Sequence, residues 1–292
     1  MKKGIILDFL KFFYQKLPNN FKVKLGYFLF HKSIPNINHP TSLNEKILNR
    51  ILYDKNEMYP ILADKFLVRE YIQKVLSQDV LVPLVLATQE PKDLEQLKSL
   101  QNTVVKPNHG AGMVQIYDTE PSIVEKNKLI AQCKQWLKID YSKAGGEWHY
   151  SQIKPYILVE QKITASGESL RDYKFHRFLQ QDGSYKQVLQ VIAERSTNGY
   201  ETVFFDVNNL DEILHSPFYY TFSLSDFEKK HINYIVNYNE KICPENGYLR
   251  IDWYITEKQI YFGEITLTSG SGKSKSLSGI FGIEMGKLWV VR

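Results

Sequence analysis

The chain has 292 residues, which is enough for one large or two modest domains with a substantial buried core. With 43% hydrophobic and 24% charged residues and no low-complexity tract, its composition is globular and excludes a fibrous or disordered chain. The net charge of +5 suits an anionic ligand, but no dense block of Lys and Arg occurs, so we predict no nucleic acid partner. Only Cys133 and Cys243 are present, without disulfide or zinc spacing, which predicts a cytoplasmic protein.

The first part of the chain is basic and apolar. Apolar residues recur at helical spacing from Ile5 to Leu17 with lysines among them, and the segment through Phe30 stays basic and aromatic. No signal peptide is recognisable, and no stretch reaches the roughly 18 uncharged residues of a membrane span. Two interpretations remain, namely short helices packed on the domain or an amphipathic helix in peripheral contact with the inner face of the membrane. We predict an N-terminal helical segment over residues 1–58 and the main domain over 59–292.

Helical and strand patterns mix along the rest of the chain. A capping-box sequence, Ser42-Leu43-Asn44-Glu45, opens the first of the predicted helices. The predicted helices cover residues 42–52, 65–76, 94–100, 129–139 and 227–239, and the predicted strands cover residues 80–86, 103–106, 156–163, 170–178, 185–193, 249–255 and 259–265. No repeating βαβ period and no internal repeat occur, which predicts an α+β fold and not a doubly wound parallel sheet.

Several residues with charged or flexible groups lie on these elements, and their order along the chain is informative. Lys106 ends a predicted strand and is followed by a loop with Gly110 and Gly112, and much later come Arg250-Ile251-Asp252 and Glu264-Ile265-Thr266. A cation on a strand, a glycine-containing loop and two carboxylates on a hairpin are the parts that hold a nucleoside triphosphate with its magnesium. Each part alone is a weak signal. Their order predicts an ATP-dependent enzyme.

The geometry of the last hairpin depends on its turn. Arg250 shares a face with Asp252, and Glu264 with Thr266, because side chains two apart on a strand point the same way. A three-residue loop puts Asp252 opposite Glu264, whereas a two- or four-residue loop puts them on opposite faces unless a bulge restores the pairing. Opposed carboxylates destabilise a sheet, and a divalent cation is a natural reason to tolerate them. The alternative is a pair of solvent-facing acids, whose individual removal would be neutral or stabilising.

Two weaker signals accompany the hairpin. Ser269–Ser274 superficially resembles a phosphate-binding Walker A loop, but Leu267 stands where that motif needs glycine and the segment follows a hairpin. We therefore predict a flexible loop that supplies a wall for a phosphate or carboxylate through Gly270, Ser271 and Lys273. Alternation along Asp172–His176 puts Lys174 on one face with two other polar residues, as an exposed strand face would also do.

The order of these residues resembles the ATP-grasp superfamily of carboxylate–amine ligases. More narrowly, several runs resemble the teichuronopeptide-biosynthesis (TupA-like) ATP-grasp family, from roughly residue 40 to the C-terminus. These runs are Ser42–Ile47, Ala63–Tyr71, Lys106–Gly110, Asp172–Phe175 and Gly263–Thr266. The resemblance implies an ATP-grasp fold, with two α+β subdomains of mainly antiparallel sheets clasping the nucleotide after a helical N-terminal segment.

The resemblance also implies a role for each residue. The ATP-binding residues would be Lys65, Lys106, Gly110, Gly112, Glu160 and Lys174, with the backbone of Gln161–Lys162 reading the adenine edge. Magnesium would be held by Asp252, Glu264 and Thr266, the last standing where the superfamily usually has Asn. Arg250 and Lys174 would be catalytic, since they would stabilise the charge of the transferring phosphoryl group.

The implied activity is that of a ligase with ATP and Mg²⁺ as cofactors. It would form an amide through an acyl phosphate, joining an amine or amino acid to a uronic-acid-containing saccharide of a bacterial surface polysaccharide. One alternative is a glycosyltransferase of the same pathway, although Asp206 and Asp211 lack the Asp-x-Asp spacing that such metal-dependent enzymes typically carry. A nucleotide-binding module without turnover is a second alternative, against which the presence of all the implied phosphate and metal residues argues.

Overall fold

The structure, a computed structural model, describes residues 17–164, 170–196, 199–217 and 220–290. The amphipathic helix predicted before Leu17 lies outside the described residues. Within them, no helix combines the length and the apolar character needed to cross a membrane.

Helices and antiparallel strands make up the described residues. The helices are α1 (Asn19–His31), α2 (Leu43–Tyr53), α3 (Tyr59–Ala63), α4 (Leu67–Val75), α5 (Ile123–Trp136), α6 (Ser142–Gly145), α7 (Asp226–Lys241) and α8 (Gly279–Leu288). The strands are β1 (Leu84–Thr88), β2 (Thr103–Pro107), β3 (Gln115–Tyr117), β4 (Ile157–Gln161), β5 (Asp172–Leu179), β6 (Tyr185–Ser196), β7 (Gly199–Asp206), β8 (Tyr248–Ile255) and β9 (Ile260–Thr266). Short 3-10 turns lie at Gln78–Val80, Pro91–Gln96, Trp148–Gln152 and Ser269–Gly272.

Serine–glutamate capping boxes begin three of these helices. Ser42 and Glu45 cap α2 as predicted, and Ser225 with Glu228 caps α7 close to its predicted start. The pair Ser122 and Glu125 starts α5 six residues before the predicted Leu129. In each box the serine hydroxyl and the glutamate carboxylate satisfy backbone N–H groups that the first turn leaves unpaired.

Two predicted elements differ in extent. The strand predicted over 80–86 begins only at Leu84, because Pro83 has no N–H to give to the ladder. The helix predicted over 94–100 is a 3-10 turn over Pro91–Gln96. Its leucines recur every third residue, which fits a 3-10 turn as well as an α-helix.

The smaller sheet has the strand order β1-β4-β2-β3, with antiparallel pairs throughout. One of its faces packs on α5 and the 91–96 turn through Val105, Ile157 and Val159. Alternation therefore sends Lys106 and Glu160 to the opposite face, away from this core.

The larger sheet has the order β7-β6-β5-β8-β9. One face, with Phe175 and Ile251, is buried in the main core, which α7 also contributes to. On the other face, Phe178 and Tyr248 pack in a second core together with residues of α1, α2 and α8. Further along the same face these apolar residues give way to charged ones, beginning with Arg250. The sheet thus has one end of this face free for polar chemistry.

Candidate functional site

A β-bulge sets the face of the two acids on the last hairpin. Ile255 pairs with Ile260, so the loop has four residues and the three-residue alternative is wrong. The register shifts after Asp252, where Gly263 is the extra residue, and Asp252 therefore stands directly opposite Glu264. Glycine suits this position because a Cβ there would come within 3.0 Å of the Asp252 carbonyl oxygen. The bulge restores the shared face that an even loop would have removed.

Three cations surround these opposed acids. Arg250 donates from Nε to Asp252 Oδ1 at 2.7 Å and from Nη2 to Asp252 Oδ2 at 2.8 Å and Glu264 Oε1 at 3.0 Å. Lys174 Nζ lies 2.7 Å from Asp252 Oδ2, and Lys65 Nζ lies 3.1 Å from Glu264 Oε2. Each carboxylate is therefore bound by two cations, and their mutual repulsion is more than offset.

The electrostatics of this cluster keep Glu264 charged. Burial alone would raise the pKa of Glu264, but the charges of Lys65 and Arg250 hold that pKa well below its ordinary value. Burial acts against the charge of Arg250, yet Asp252 raises the pKa of the guanidinium above its usual range. The Thr266 hydroxyl lies on the same face and donates to Glu264 Oε1 at 3.2 Å. The site thus presents an ionised Glu264 at neutral pH, with the Asp252 carboxyl group and the Thr266 hydroxyl on the same face.

The donor set fits magnesium delivered with a nucleotide. Over the described ranges, no three acidic, histidine or cysteine side chains converge on a metal position. The hairpin offers two carboxylates and one hydroxyl, all oxygen. Mg²⁺ is commonly held by one or two carboxylates together with phosphate oxygens and water, so it does not require a complete protein cage.

Lys65 connects this hairpin to the glycine loop. Its Nζ donates to the Gly110 carbonyl oxygen at 2.8 Å, and its backbone N–H donates to the Asn108 carbonyl at 2.9 Å. Gly110 and Gly112 both have a φ of +77°, a conformation that other residues adopt only under strain. Lys65 therefore bridges the two parts of the protein. It binds the Gly110 carbonyl in the loop after β2 of the smaller sheet and the Glu264 carboxylate on β9 of the larger sheet.

The two glycines should respond differently to substitution. A Cβ on Gly110 would lie 2.4 Å from the Tyr141 ring, whereas one on Gly112 would meet no atom within 4 Å. Gly112→Ala should cost only the backbone strain of about 1–2 kcal/mol. Gly110→Ala should in addition displace the loop, and we expect it to weaken binding of an ATP analogue at least tenfold more. Isothermal titration of both variants tests this, and equal losses would contradict it.

Lys106 and Glu160 form a second ionic group on the smaller sheet. Lys106 Nζ lies 2.6 Å from Glu160 Oε2, and Arg69 Nη1 lies 3.3 Å from Glu160 Oε1. Arg69 also donates to the Val82 carbonyl at 2.6 Å, which fixes its guanidinium. Arg69 was not among the predicted site residues, although it stands four residues after Lys65 in the run Ala63–Tyr71 that resembles the family. The buried Glu160 is thus held between two cations.

The backbone after Glu160 has less to offer an adenine than the resemblance implied. The N–H of Gln161 donates to the Pro83 carbonyl at 3.0 Å, and the N–H of Lys162 donates to the Asn102 carbonyl at 2.8 Å. Both donors are therefore engaged within the protein. The expectation that this backbone reads the adenine edge stays a prediction, for which the segment offers carbonyl acceptors.

The segment Ser269–Gly272 is an ordered turn, so the expectation of a flexible loop is wrong. The N–H of Ser271 donates to the Thr268 carbonyl at 2.8 Å, and the N–H of Lys273 donates to the Gly270 carbonyl at 2.9 Å. The Ser271 hydroxyl donates to Glu147 Oε2 at 2.8 Å. Two of the expected backbone donors and one hydroxyl are thus already used in holding the turn.

Glu147 is the buried acid behind this turn, and no sequence pattern pointed to it. Its carboxylate accepts hydrogen bonds from the hydroxyls of Thr268 and Ser271, and burial raises its pKa. The rings of Tyr141 and Tyr150 lie edge to face beside it, with centroids 4.9 Å apart. Burial is the largest cause of the raised pKa of Tyr150, and the charges of Glu147 and Glu264 raise it further. This aromatic pair therefore lies near both acids and forms a wall of the site.

Replacing Glu147 should reveal the cost of its charge. Because its folded pKa lies above the unfolded one, it stabilises the fold fully below the unfolded pKa of about 4.3, and this contribution is lost as pH rises through the folded pKa. The Tm of Glu147→Gln should therefore equal or exceed the Tm of the parent at pH 7–8. Its Tm should also decrease less than the parent's as pH rises above 4. Glu147→Ala should lower the Tm, since each hydroxyl left without an acceptor costs about 1–3 kcal/mol. Thermal unfolding between pH 4 and 8 tests this, and equal losses in both variants would refute it.

The structure brings most of the predicted residues together. Around the acids of the hairpin it gathers Lys65, Gly110, Lys174, Arg250, Asp252, Glu264 and Thr266. Lys106 and Glu160 form their own pair on the smaller sheet, and Gly112 follows in the loop after Gly110. Gly270, Ser271 and Lys273 belong to the turn that Glu147 holds.

Two antiparallel sheets that meet at such a cluster define an ATP-grasp fold. A similar fold occurs in D-alanine–D-alanine ligase from Helicobacter pylori, with 14% identity, a TM-score of 0.50, and coverage of 79% of this chain and 62% of the ligase chain. L-Amino acid ligase from Bacillus licheniformis aligns with 15% identity, a TM-score of 0.48, and coverage of 78% and 48%. The chain thus spans about three fifths of the first protein and about half of the second.

The TupA-like ATPgrasp family model matches residues 45–289. The chain therefore belongs to the TupA-like ATP-grasp family, as the runs in its sequence suggested. No curated protein matches it significantly.

Proposed function

We propose that this protein is an ATP-dependent ligase that joins a carboxylate to an amine through an acyl phosphate. The observation that carries the proposal is the cluster in which Asp252 and Glu264 stand opposite each other among Lys65, Lys174 and Arg250. Two acidic side chains beside three cations match the charge pattern of a magnesium-bound triphosphate. The family membership independently supports ATP as the nucleotide.

The cations in this site would exchange partners when the nucleotide binds. Lys65 and Lys174 each have a carboxylate partner in the structure, as does Lys106 on the other sheet. Phosphate oxygens would replace these partners, with Lys65 and Lys106 on the α- and β-phosphates and Lys174 on the γ-phosphate. The carboxylates released from the cations, with the Thr266 hydroxyl, would hold magnesium. When bound, that ion neutralises phosphate charge. The ion pairs therefore keep the site preformed.

The chemistry would need positioning and charge stabilisation from the protein. A substrate carboxylate oxygen attacks the γ-phosphorus, the bond to the ADP oxygen breaks, and an acyl phosphate forms. The amine then attacks the acyl carbon, loses a proton, and phosphate leaves as an amide is formed. Arg250, fixed by two hydrogen bonds to Asp252, would stabilise the negative charge in both steps.

We further propose that the acceptor carboxylate belongs to a uronic acid of a bacterial surface polysaccharide, with an amino acid or amino alcohol as the amine. The resemblance of the five sequence runs to a family of polysaccharide biosynthesis supports this choice, and the net charge of +5 favours an acidic substrate.

An ADP-release assay tests the reaction class. The protein would be incubated with Mg²⁺, ATP and a panel of uronic acids, with and without amines, and hydroxylamine would trap an acyl phosphate as a hydroxamate. We expect carboxylate-dependent ADP release and hydroxamate formation. Carboxylate-independent ADP release, or turnover of a nucleotide sugar without ATP, would overturn the ligase assignment, and the latter outcome would support a glycosyltransferase.

A further inference from the structure

Helix α1 exposes an apolar stripe that the rest of the described protein does not cover. Phe21, Leu25, Phe28 and Leu29 recur at helical spacing and are 64%, 37%, 45% and 55% exposed. The opposite side of the helix is anchored, because Val23 and Tyr27 are buried in the second core. The stripe is therefore held in a fixed direction by the fold, and scattered surface exposure does not explain four large side chains along one line.

The charge around this stripe has one sign. Between Asp8 and Glu45 the sequence has five lysines and no acidic residue. Of these, Lys24 and Lys32 are exposed on or beside the stripe. Lys275 lies over the Phe30 ring, with its Nζ 5.6 Å from the centroid, and adds another cation at the end of the helix. Apolar side chains flanked by lysines suit the boundary between anionic headgroups and acyl chains.

The position of α1 ties this surface to the site. At its first residue, Asn19 donates to the Gly146 carbonyl at 3.0 Å, and at its last residue, His31 Nε2 lies 3.2 Å from the Gly272 carbonyl oxygen. These two contacts fall on the segments that Glu147 joins through Ser271. The helix therefore lies along the same side of the protein as Glu147 and the turn that it holds.

From these observations we infer that the exposed face of α1 docks on an anionic lipid bilayer and holds this side of the site at the membrane surface. The occupant is a lipid surface because the charged side chains placed on or beside the stripe, Lys24, Lys32 and Lys275, are all cations. A protein groove or a second copy would more often offer an acidic rim to pair with them. The docking itself does not rest on the proposed function.

Vesicle co-sedimentation of the full chain tests the docking directly. We expect binding to vesicles of phosphatidylcholine with 30% phosphatidylglycerol and much weaker binding to phosphatidylcholine alone. Phe28→Ser with Leu29→Ser should lower the partition coefficient at least tenfold, and Lys24→Glu with Lys32→Glu should lower it by about fivefold or more for each charge. The control is Ile123→Ser with Val124→Ser, which removes two apolar residues of α5 that are even more exposed, at 80% and 62%, and should change nothing.

The outcomes separate this inference from the ligase proposal. Carboxylate-dependent ADP release with soluble substrates should be the same in all these variants, since none of the residues contacts the site. Unchanged vesicle binding in the Phe28/Leu29 variant would overturn the inference. The inference would also be overturned if the parent bound no vesicles but self-associated in sedimentation velocity, and if the Phe28/Leu29 variant lost this self-association. A protein that binds vesicles but releases no ADP would leave the docking in place and refute the ligase.

Discussion

Asp252→Asn and Glu264→Gln are each expected to lower carboxylate-dependent ADP release by roughly a hundredfold or more, with the protein still folded. The two acids are directly paired across the β8–β9 bulge, and between them they supply both carboxylates of the hairpin site. An amide in either position keeps the shape and removes a charged magnesium ligand. Either substitution should also raise the Mg²⁺ concentration needed for half-maximal activity, which a change confined to folding would not do.

The same substitutions should have a measurable effect on stability. Opposed acids considered alone predict a neutral or stabilising outcome, but each acid here is bound by two cations. Asp252→Asn would leave Arg250 and Lys174 under-compensated in a buried place and should lower the free energy of unfolding by about 1–3 kcal/mol. Glu264, which is about a third exposed, should matter less, because solvent screens its ion pairs.

A control on the same hairpin isolates the metal role. Glu257→Gln removes an exposed carboxylate from the turn between β8 and β9 and should leave both ADP release and its Mg²⁺ dependence unchanged. Purified variants would be compared by initial rates across a Mg²⁺ titration, and by circular dichroism for their fold. A Glu264→Gln enzyme with normal turnover would refute the assignment of this acid to the metal.

The hairpin shows how far sequence reasoning reaches. Strand alternation placed Arg250 with Asp252 and Glu264 with Thr266, because a period of two is a local property of any strand. The relation between the two strands was left open, since a bulge is decided by tertiary packing. Gly263 gave a faint signal for it, as glycine within a strand often marks a bulge. Only the observed register shows that the shift falls between the acids and the turn.

Elements and contacts that depend on residues far apart along the chain were not predicted from the sequence. Helix α8 carries Gly282 and Gly286, which disfavour a helix locally. A Cβ at Gly286 would come within 2.1 Å of the Thr41 carbonyl oxygen, so this glycine permits close packing that no local pattern reveals. Glu147 is likewise defined by hydroxyls more than a hundred positions away in the sequence. The chain order of the residues proposed for phosphate and metal can be read from the sequence, whereas the residues that hold the site in shape cannot.

Lys106→Ala is expected to weaken binding of a non-hydrolysable ATP analogue by roughly ten- to a hundredfold, as the loss of a charge-assisted contact of about 1.5–3 kcal/mol implies. Lys106 is held 2.6 Å from Glu160, whose other cation, Arg69, is fixed by the Val82 carbonyl. The alanine variant therefore loses a phosphate contact and also leaves Glu160 with a single partner. These two effects must be separated before the loss can be assigned to the nucleotide.

The double variant Lys106→Ala with Glu160→Gln separates them. If Lys106 binds phosphate, removing the Glu160 charge should restore the Tm lost in the single variant but should not restore the parent affinity for the analogue. If Lys106 serves only to neutralise Glu160, the double variant should have the Tm and the affinity of Glu160→Gln alone. Lys162→Ala is the control, since this lysine follows β4 in the same sheet and pairs with Asp118 at the surface. Isothermal titration with Mg²⁺ present decides between these outcomes, and an unchanged affinity in Lys106→Ala would refute the role of this lysine in nucleotide binding.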